Sequence, residues 1–151
     1  MKISTSRFAP LMVAKLIWWE GFVSYEIFVC RFVNGEPVAL DKEAVHEALG
    51  PYVTVRDRNF LQIKAGSDGG GADVYFSSDT NITINHFGGD EIMNVISELV
   101  RRTEASLILP GGTVILSRGE ERECLPASIR DGWAVAVAAT GEEITRAIRE
   151  S

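Results

Sequence analysis

Hydrophobic and polar positions alternate with a period of two residues in several short segments of the chain. Such alternation is typical of β-strands that bury one face. In the clearest example, NITINHF, Ile82 and Ile84 fall on one side while Asn81, Thr83 and Asn85 fall on the other. The pattern predicts strands over residues 11–19, 25–33, 59–66, 72–77 and 81–87.

Turn residues separate these segments and indicate antiparallel pairing. Asn34-Gly35 stands between two apolar runs, and this dipeptide favours a tight hairpin because both residues tolerate positive φ. The glycines Gly69–Gly71 and the segment SSDTN separate the next strands. We therefore expect a meander of antiparallel strands.

A period near 3.6 residues predicts two helices in the middle of the chain. The first lies within residues 40–50 and has Asp41 as its N-cap. The second lies within residues 90–103 and leads into the strand segment ASLIL. If that strand pairs in parallel with the strand over 81–87, the helix forms a right-handed crossover between them.

Two capping boxes mark later helix starts, because a hydroxyl and an acidic side chain stand three residues apart at each. Ser117 and Glu120 predict a short charged helix, and Thr140 and Glu143 predict the last helix. The segment GWAVAVAA between them alternates bulky and small residues, which predicts a strand that a helix can approach closely. Together these elements predict an α+β fold, a single domain over residues 1–151, with a mixed and largely antiparallel sheet covered by two to three helices.

The charge of the chain restricts its partners. The formal net charge is −6, and residues 76–151 carry 12 acidic side chains against 7 basic ones. Nucleic acid and anionic membranes select basic surfaces, so we expect neither as a partner. A basic protein is a better electrostatic match.

The N-terminal segment begins with basic and apolar residues but lacks the features of a leader or a membrane span. Pro10 and Lys15 interrupt the apolar run, and no small-residue cleavage site follows it. The two cysteines, Cys30 and Cys124, are far apart and favour reduced thiols over a disulfide framework. We therefore expect a cytoplasmic protein.

The corner HFGGDE resembles a phosphate-binding turn, since glycines between a strand and a helix can present free amides. Asp90 and Glu91 stand in the first helical turn, however, and their carboxylates repel a phosphate. We expect the glycines to permit a tight turn, with Asp90 as the N-cap.

His86 lies beside this corner, with a carboxylate four residues away at Asp90. A histidine paired with a carboxylate can act as a general base or a pH switch, and the alternative is a ring that bonds the turn backbone. Asn85, His86 and Asp90 are thus the candidate ligand-binding residues.

The sequence offers no further chemistry of comparable strength. Neither cysteine lies in a context that activates a thiol, and no nucleophile elbow occurs. The histidines and cysteines show no metal-ligand spacing, so the sequence predicts no metal site and no cofactor. It leaves catalysis undecided and leans against an enzyme.

The leading functional hypothesis is therefore a non-enzymatic protein-binding module, comparable in size and charge with small bacterial immunity or inhibitor proteins. Trp18 and Trp19 would supply an aromatic interface, and Glu120, Glu121 and Glu123 a charged rim for a basic partner. An open edge strand would also permit a homodimer. The alternative is a small-molecule-binding protein or enzyme with a pocket near His86–Asp90.

Overall fold

A computed structural model describes residues 25–151 and shows nine strands and four α-helices in that part of the chain. The strands are β1 (Ile27–Val33), β2 (Glu36–Val38), β3 (Val53–Asp57), β4 (Phe60–Ala65), β5 (Gly70–Ser78), β6 (Asn81–Gly88), β7 (Ser106–Leu109), β8 (Thr113–Leu116) and β9 (Ala134–Val137). The helices are α1 (Lys42–Leu49), α2 (Asp90–Thr103), α3 (Ala127–Gly132) and α4 (Gly141–Glu150), with 3-10 turns at Gly50–Tyr52 and Gly119–Cys124.

The strands form one mixed sheet in the order β3-β4-β5-β6-β1-β7-β8-β9, and β2 pairs with the end of β1. Every neighbouring pair is antiparallel except β8 and β9, which run parallel. The predicted fold class is therefore confirmed. The strand predicted over 11–19 lies outside the described residues.

The fold differs from the sequence-based expectations in its short elements and in the pairing of its strands. Strand β3 and helix α3 are additional elements, both short. Strands β6 and β7 do not pair, because β1 lies between them and is antiparallel to both. The crossover expected from β6 through α2 therefore spans a strand rather than joining neighbours.

The hairpin at the end of β1 follows the prediction. Asn34 and Gly35 have φ values of 52° and 80°, as the central residues of a primed turn require. The amide of Gly35 also donates to the carbonyl of Cys124 at 3.0 Å, which ties the turn to the second 3-10 segment.

The main core lies between one face of the sheet and the helices α1, α2 and α4, so three helices cover this face as predicted. Ile96 and Leu99 of α2 and Ile144 of α4 are almost fully buried. Ala136 of β9 and Ala138, which follows the strand, also pack in this core. The strand residues in this core include Ile27, Val29, Ile63, Val74, Ile82, Ile84, Leu107 and Ile115.

A second, smaller core covers the opposite side of β1, β7 and β8. Ile129 of α3 packs there, together with Leu125 from the segment before it. Because β7 and β8 are buried on both faces, their residues after Ser106 and Thr113 are all apolar rather than alternating. The remaining members are Cys30, Ile108, Val114 and Leu116.

The predicted local caps of α1 and α4 are confirmed. The Asp41 carboxylate accepts hydrogen bonds from the amides of Glu43 at 3.0 Å and Ala44 at 3.2 Å. The hydroxyl of Thr140 accepts from the Glu143 amide at 3.2 Å. The backbone hydrogen bond from Ala139 to the Glu143 carboxylate is the main cause that lowers the pKa of that glutamate.

Candidate functional site

The glycine corner before α2 is capped by a carboxylate from a distant loop. The N-cap position is Gly89, with φ 100°, and it offers no side chain, so the expectation that Asp90 caps this helix is wrong. Instead, the carboxylate of Asp68 accepts from the Asp90 amide at 3.1 Å and from the Gly70 amide at 3.1 Å. A negative group at a helix N-terminus is favoured by the helix dipole.

Close packing explains why glycine is required at this corner. A Cβ atom added to Gly89 would lie 2.6 Å from the Cα of Gly70, closer than real Cβ atoms approach backbone. One added to Gly70 would lie 2.8 Å from the carbonyl oxygen of Gly88. The corner therefore holds the β4–β5 loop against the start of α2.

His86 occupies a β-bulge immediately before this corner. Between the pairs Asp73–Asn85 and Gly71–Gly88, β6 contains one residue more than β5. His86 takes up the extra length with φ 51°, a left-handed conformation that histidine adopts more readily than most side chains. The bulge turns its ring out of the regular alternation of the strand.

Asp73 holds the ring of His86. The Nδ1 atom lies 2.8 Å from Oδ2 of Asp73, and half of the histidine side chain is exposed. Because an ionised carboxylate only accepts hydrogen bonds, Nδ1 carries the proton, which leaves Nε2 to a ligand. Asp73 is a site residue that the sequence analysis missed, because only the register of β5 and β6 brings it to His86.

Asn85 does not join this arrangement. Its Nδ2 donates to Oε2 of Glu26 at 3.3 Å, and its Oδ1 is buried without a partner within the described part of the chain. Asn85 also does not line the cleft that His86 enters. The structure thus brings His86 and Asp90 together and places Asn85 apart from them.

His86 and Asp90 line one cleft of about 590 Å³ between the end of β6, the start of α2 and the outer side of α4, here called the histidine cleft. Its volume is within the range of small-molecule sites. The apolar part of its lining comes from Tyr25, Phe87, Met93 and Ile148, and the polar part includes Thr145 and Arg149.

Helix α4 forms the far wall because its first residue packs tightly on α2. The Gly141 amide donates to Oδ1 of Asn94 at 3.2 Å, and an added Cβ on Gly141 would lie 2.5 Å from the backbone nitrogen of Asn94. A groove of about 450 Å³ continues from the histidine cleft along this contact, and Asp90 and Arg149 line both spaces.

The charges in the cleft are mixed. Asp90 and Arg149 are exposed, and Arg149 forms no ion pair with any residue from 25 to 151. Burial raises the pKa of the Tyr25 hydroxyl, and a hydrogen bond with Ser151 opposes that shift. The histidine cleft therefore offers a cation, a carboxylate and an imidazole on a partly apolar surface.

The lining of the histidine cleft has no cysteine or serine that His86 could activate as a nucleophile. Cys30 belongs to the second core, and Cys124 lies in the second 3-10 turn. Among residues 25–151, no group of three or more histidine, cysteine, aspartate or glutamate side chains is placed to hold a metal ion. The groups that line the histidine cleft can bind and orient a ligand through hydrogen bonds and charges.

In the acidic segment predicted as a protein-binding rim, one of the three glutamates is engaged in local hydrogen bonds. Oε1 of Glu121 accepts from the Ser117 hydroxyl and from the Arg118 amide, both at 3.3 Å, so the capping glutamate is Glu121 rather than Glu120. Glu120 and Glu123 are exposed. Trp18 and Trp19 lie outside the described residues.

No helix in the described region is long and apolar enough to cross a membrane. Comparison with protein-family models, with curated proteins and with solved structures finds no match for this chain.

Proposed function

We propose that this protein binds a small polar molecule in the histidine cleft. The observation that supports this most directly is the 2.8 Å contact between His86 Nδ1 and Asp73 Oδ2, which fixes a half-exposed imidazole at a cleft of ligand size. A surface histidine that is held by a carboxylate has lost part of its side-chain freedom before a ligand arrives. Such preorganisation increases affinity.

The lining suggests the chemistry of the ligand. Asp90 matches an amine or another hydrogen-bond donor, and Arg149 matches a carboxylate. Phe87 and Met93 provide apolar contact for the body of the molecule. We therefore propose a metabolite of a few hundred daltons that carries both a donor group and an acid group.

The proposed activity is binding rather than catalysis. The ring of His86 has a carboxylate partner in Asp73, which is the orientation that a general base also needs. However, the lining of the cleft has no cysteine or serine for such a base to activate. Recognition by hydrogen bonds and ion pairs requires only the groups that are present.

A thermal-shift screen of amino acids and related acids with the full chain tests this proposal. His86→Asn is the informative variant, because asparagine also tolerates positive φ and so leaves the bulge intact. We expect it to reduce the affinity of a hit about tenfold, the cost of one hydrogen bond to a charged group. Arg149→Gln should weaken the same hits.

His46→Gln is the matched control, since this second histidine is exposed on α1 and does not line the histidine cleft. It should leave unchanged the binding of every hit that His86→Asn weakens. If His86→Asn and Arg149→Gln weaken no hit, or if His46→Gln weakens the same hits equally, the histidine cleft is excluded as the site.

A second candidate function is the protein-binding module, supported by the two edges of the sheet. Among residues 25–151, strands β3 and β9 form these edges, and each carries an exposed valine, Val55 at 46% and Val137 at 56% exposure. Unpaired edges with β-branched residues can add a strand from another chain. A partner of basic charge would also find Glu120 and Glu123 exposed.

Light scattering across a dilution series and gentle low-salt co-purification test this candidate. Pairing through an edge predicts a dimer or a captured partner that Val137→Lys or Val55→Lys removes, because edge lysines oppose strand addition. Recovery of the protein alone and monomeric at all concentrations would argue strongly against the module.

A further inference from the structure

A second cleft, of about 560 Å³, lies between α1 and the β3–β4 hairpin. It is near the start of β6, whereas the histidine cleft is at the end of that strand. Ile82 lines the second cleft and His86 the first, so the two are separate. Cationic side chains surround the second cleft, and we call it the basic cleft.

We propose that the basic cleft binds a small amphipathic carboxylic acid, with the apolar body on the cleft floor and the carboxylate at the cationic rim. This proposal does not depend on the function of the histidine cleft. It rests on the composition of the floor, on the charges of the rim and on the size of the space.

The floor is apolar. Leu49, Leu61 and Ile82 have exposures of 0%, 6% and 1%, and they belong to the main core. Half-buried Val53 and Phe76 extend this apolar surface toward the opening. Leu49, Leu61 and Ile82 form the buried base of the floor, and Val53 and Phe76 supply the apolar surface that a ligand body would remove from water.

The rim carries three exposed cations, Lys42, Arg56 and Arg58. None of them forms an ion pair with a residue in the described range 25–151. Two carboxylates, Asp57 and Asp79, also line the cleft. One oxygen of Asp57 accepts the Arg58 amide at 2.7 Å and is therefore used locally.

The basic cleft gathers three of the unpaired cations around one opening, whereas the other unpaired arginines of residues 25–151 do not line it; they are Arg118, Arg122, Arg146 and Arg149. Four other arginines pair with acidic side chains. Their partners within residues 25–151 are Glu104 for Arg31, Glu98 for Arg101, Glu98 and Glu47 for Arg102, and Asp131 for Arg130. Three free cations around an apolar floor therefore favour an anion from outside the chain.

The same features restrict the class of that anion. Asp57 and Asp79 would repel a nucleic acid or another polyanion, but two guanidinium groups can hold one carboxylate in a bidentate contact. Inorganic phosphate would leave the apolar floor unused. A monocarboxylate with an aryl or short alkyl body satisfies both parts of the cleft.

Calorimetric titration of the full chain with 4-phenylbutyrate tests the proposal, with 4-phenylbutanol as the uncharged control. We expect saturable binding of the acid, and affinity for the alcohol at least about tenfold lower, as for the loss of a hydrogen-bonded charge. The double variant Arg56→Gln/Arg58→Gln should also bind 4-phenylbutyrate about tenfold more weakly than the wild type. Amide NMR shifts should change at Leu61 and Phe76.

Lys64→Gln is the matched control, because Lys64 is an exposed cation on β4 that does not line the basic cleft. It and His86→Asn should leave the affinity for phenylbutyrate unchanged, which separates this proposal from that for the histidine cleft. Thermal unfolding verifies that each variant is folded, and Lys42→Gln replaces the double variant if that one is not.

Four results would overturn the proposal. They are the absence of saturable binding, equal affinity for the alcohol and the acid, equal losses in the arginine and Lys64 variants, and tighter binding of an oligoglutamate peptide than of phenylbutyrate. The last result would indicate an acidic peptide as the occupant.

Discussion

The two ends of α2 are stabilised in different ways. At the C-terminal end, the carboxylate of Glu98 accepts hydrogen bonds from Arg101 and Arg102, which lie three and four residues further along the same helix. At the N-terminal end, the helix start is capped by Asp68, which belongs to a loop 22 residues earlier in the chain. One end depends on sequence neighbours and the other on tertiary structure.

This difference shows what the glycine corner does. Gly89 has no side chain that could cap the helix, and this lets the β4–β5 loop approach to backbone contact. The same loop supplies the capping carboxylate of Asp68. The N-terminal end of α2 is thus coupled to the sheet, whereas the ion pairs at its C-terminal end are exposed. Substitutions at the two ends should differ in size accordingly.

The largest effect is expected for Gly89→Ala. The added Cβ would meet the Cα of Gly70 at 2.6 Å, and φ of 100° is accessible almost only to glycine. We expect a loss of about 3 kcal/mol or more in the free energy of unfolding, measured by urea denaturation.

The neighbouring Gly88→Ala is the control for that substitution. A Cβ on Gly88 meets nothing within 4 Å, so its effect should stay within about 0.5 kcal/mol. Equal losses for Gly88 and Gly89 would contradict the close approach at the corner.

An intermediate effect is expected for Asp68→Ala. The variant removes both hydrogen bonds to the corner amides, and loss of an N-cap of this kind costs about 1 kcal/mol. Asp41→Ala removes the local cap of α1 and should cost a similar amount, since each carboxylate accepts two amides. Urea denaturation of both variants measures this comparison. A neutral Asp68→Ala would show that the distant cap does not stabilise α2.

The smallest effect is expected for Glu98→Gln at the other end of α2. Hydrogen bonds from Arg101 and Arg102 lower the pKa of Glu98 from 4.5 to about 2. The native state therefore binds this proton less tightly than the unfolded state, so the stabilisation is present above pH 4.5 and disappears as the pH falls toward 2.

Because these side chains are more than one-third exposed, solvent screening limits that stabilisation to less than about 1 kcal/mol at neutral pH. The difference in unfolding free energy between the wild type and Glu98→Gln should shrink between pH 4.5 and 2, and also in high salt. A difference that is independent of pH would exclude the ion pairs as its cause.

The elements that the sequence predicted are those with local signals. The caps at Asp41 and Thr140 and the Asn34-Gly35 turn each depend on residues within a few positions of one another. The long apolar periods of α2 and β6 are also local. Strand β3 was missed because four of its five residues are exposed, so it has no buried period.

The candidate site was less predictable because its partners come from different strands and loops. His86 and Asp90 could be selected from the corner sequence, but Asp73 reaches His86 only through the bulged register of β5 and β6. Asp68 reaches the start of α2 only because two glycine-rich segments pack together. Asn85 lies outside the histidine cleft, because its side chain contacts Glu26, which stands just before β1, the strand beside β6.

The position of β1 has a consequence for how the chain acquires its structure. This early strand pairs on one side with residues around Ile84 and on the other with residues around Ile108, so both of its neighbours are translated long after it. The centre of the sheet therefore cannot assemble until β6 and β7 have been synthesised. Non-local pairing of this kind slows folding, and it makes the fold depend on these later strands.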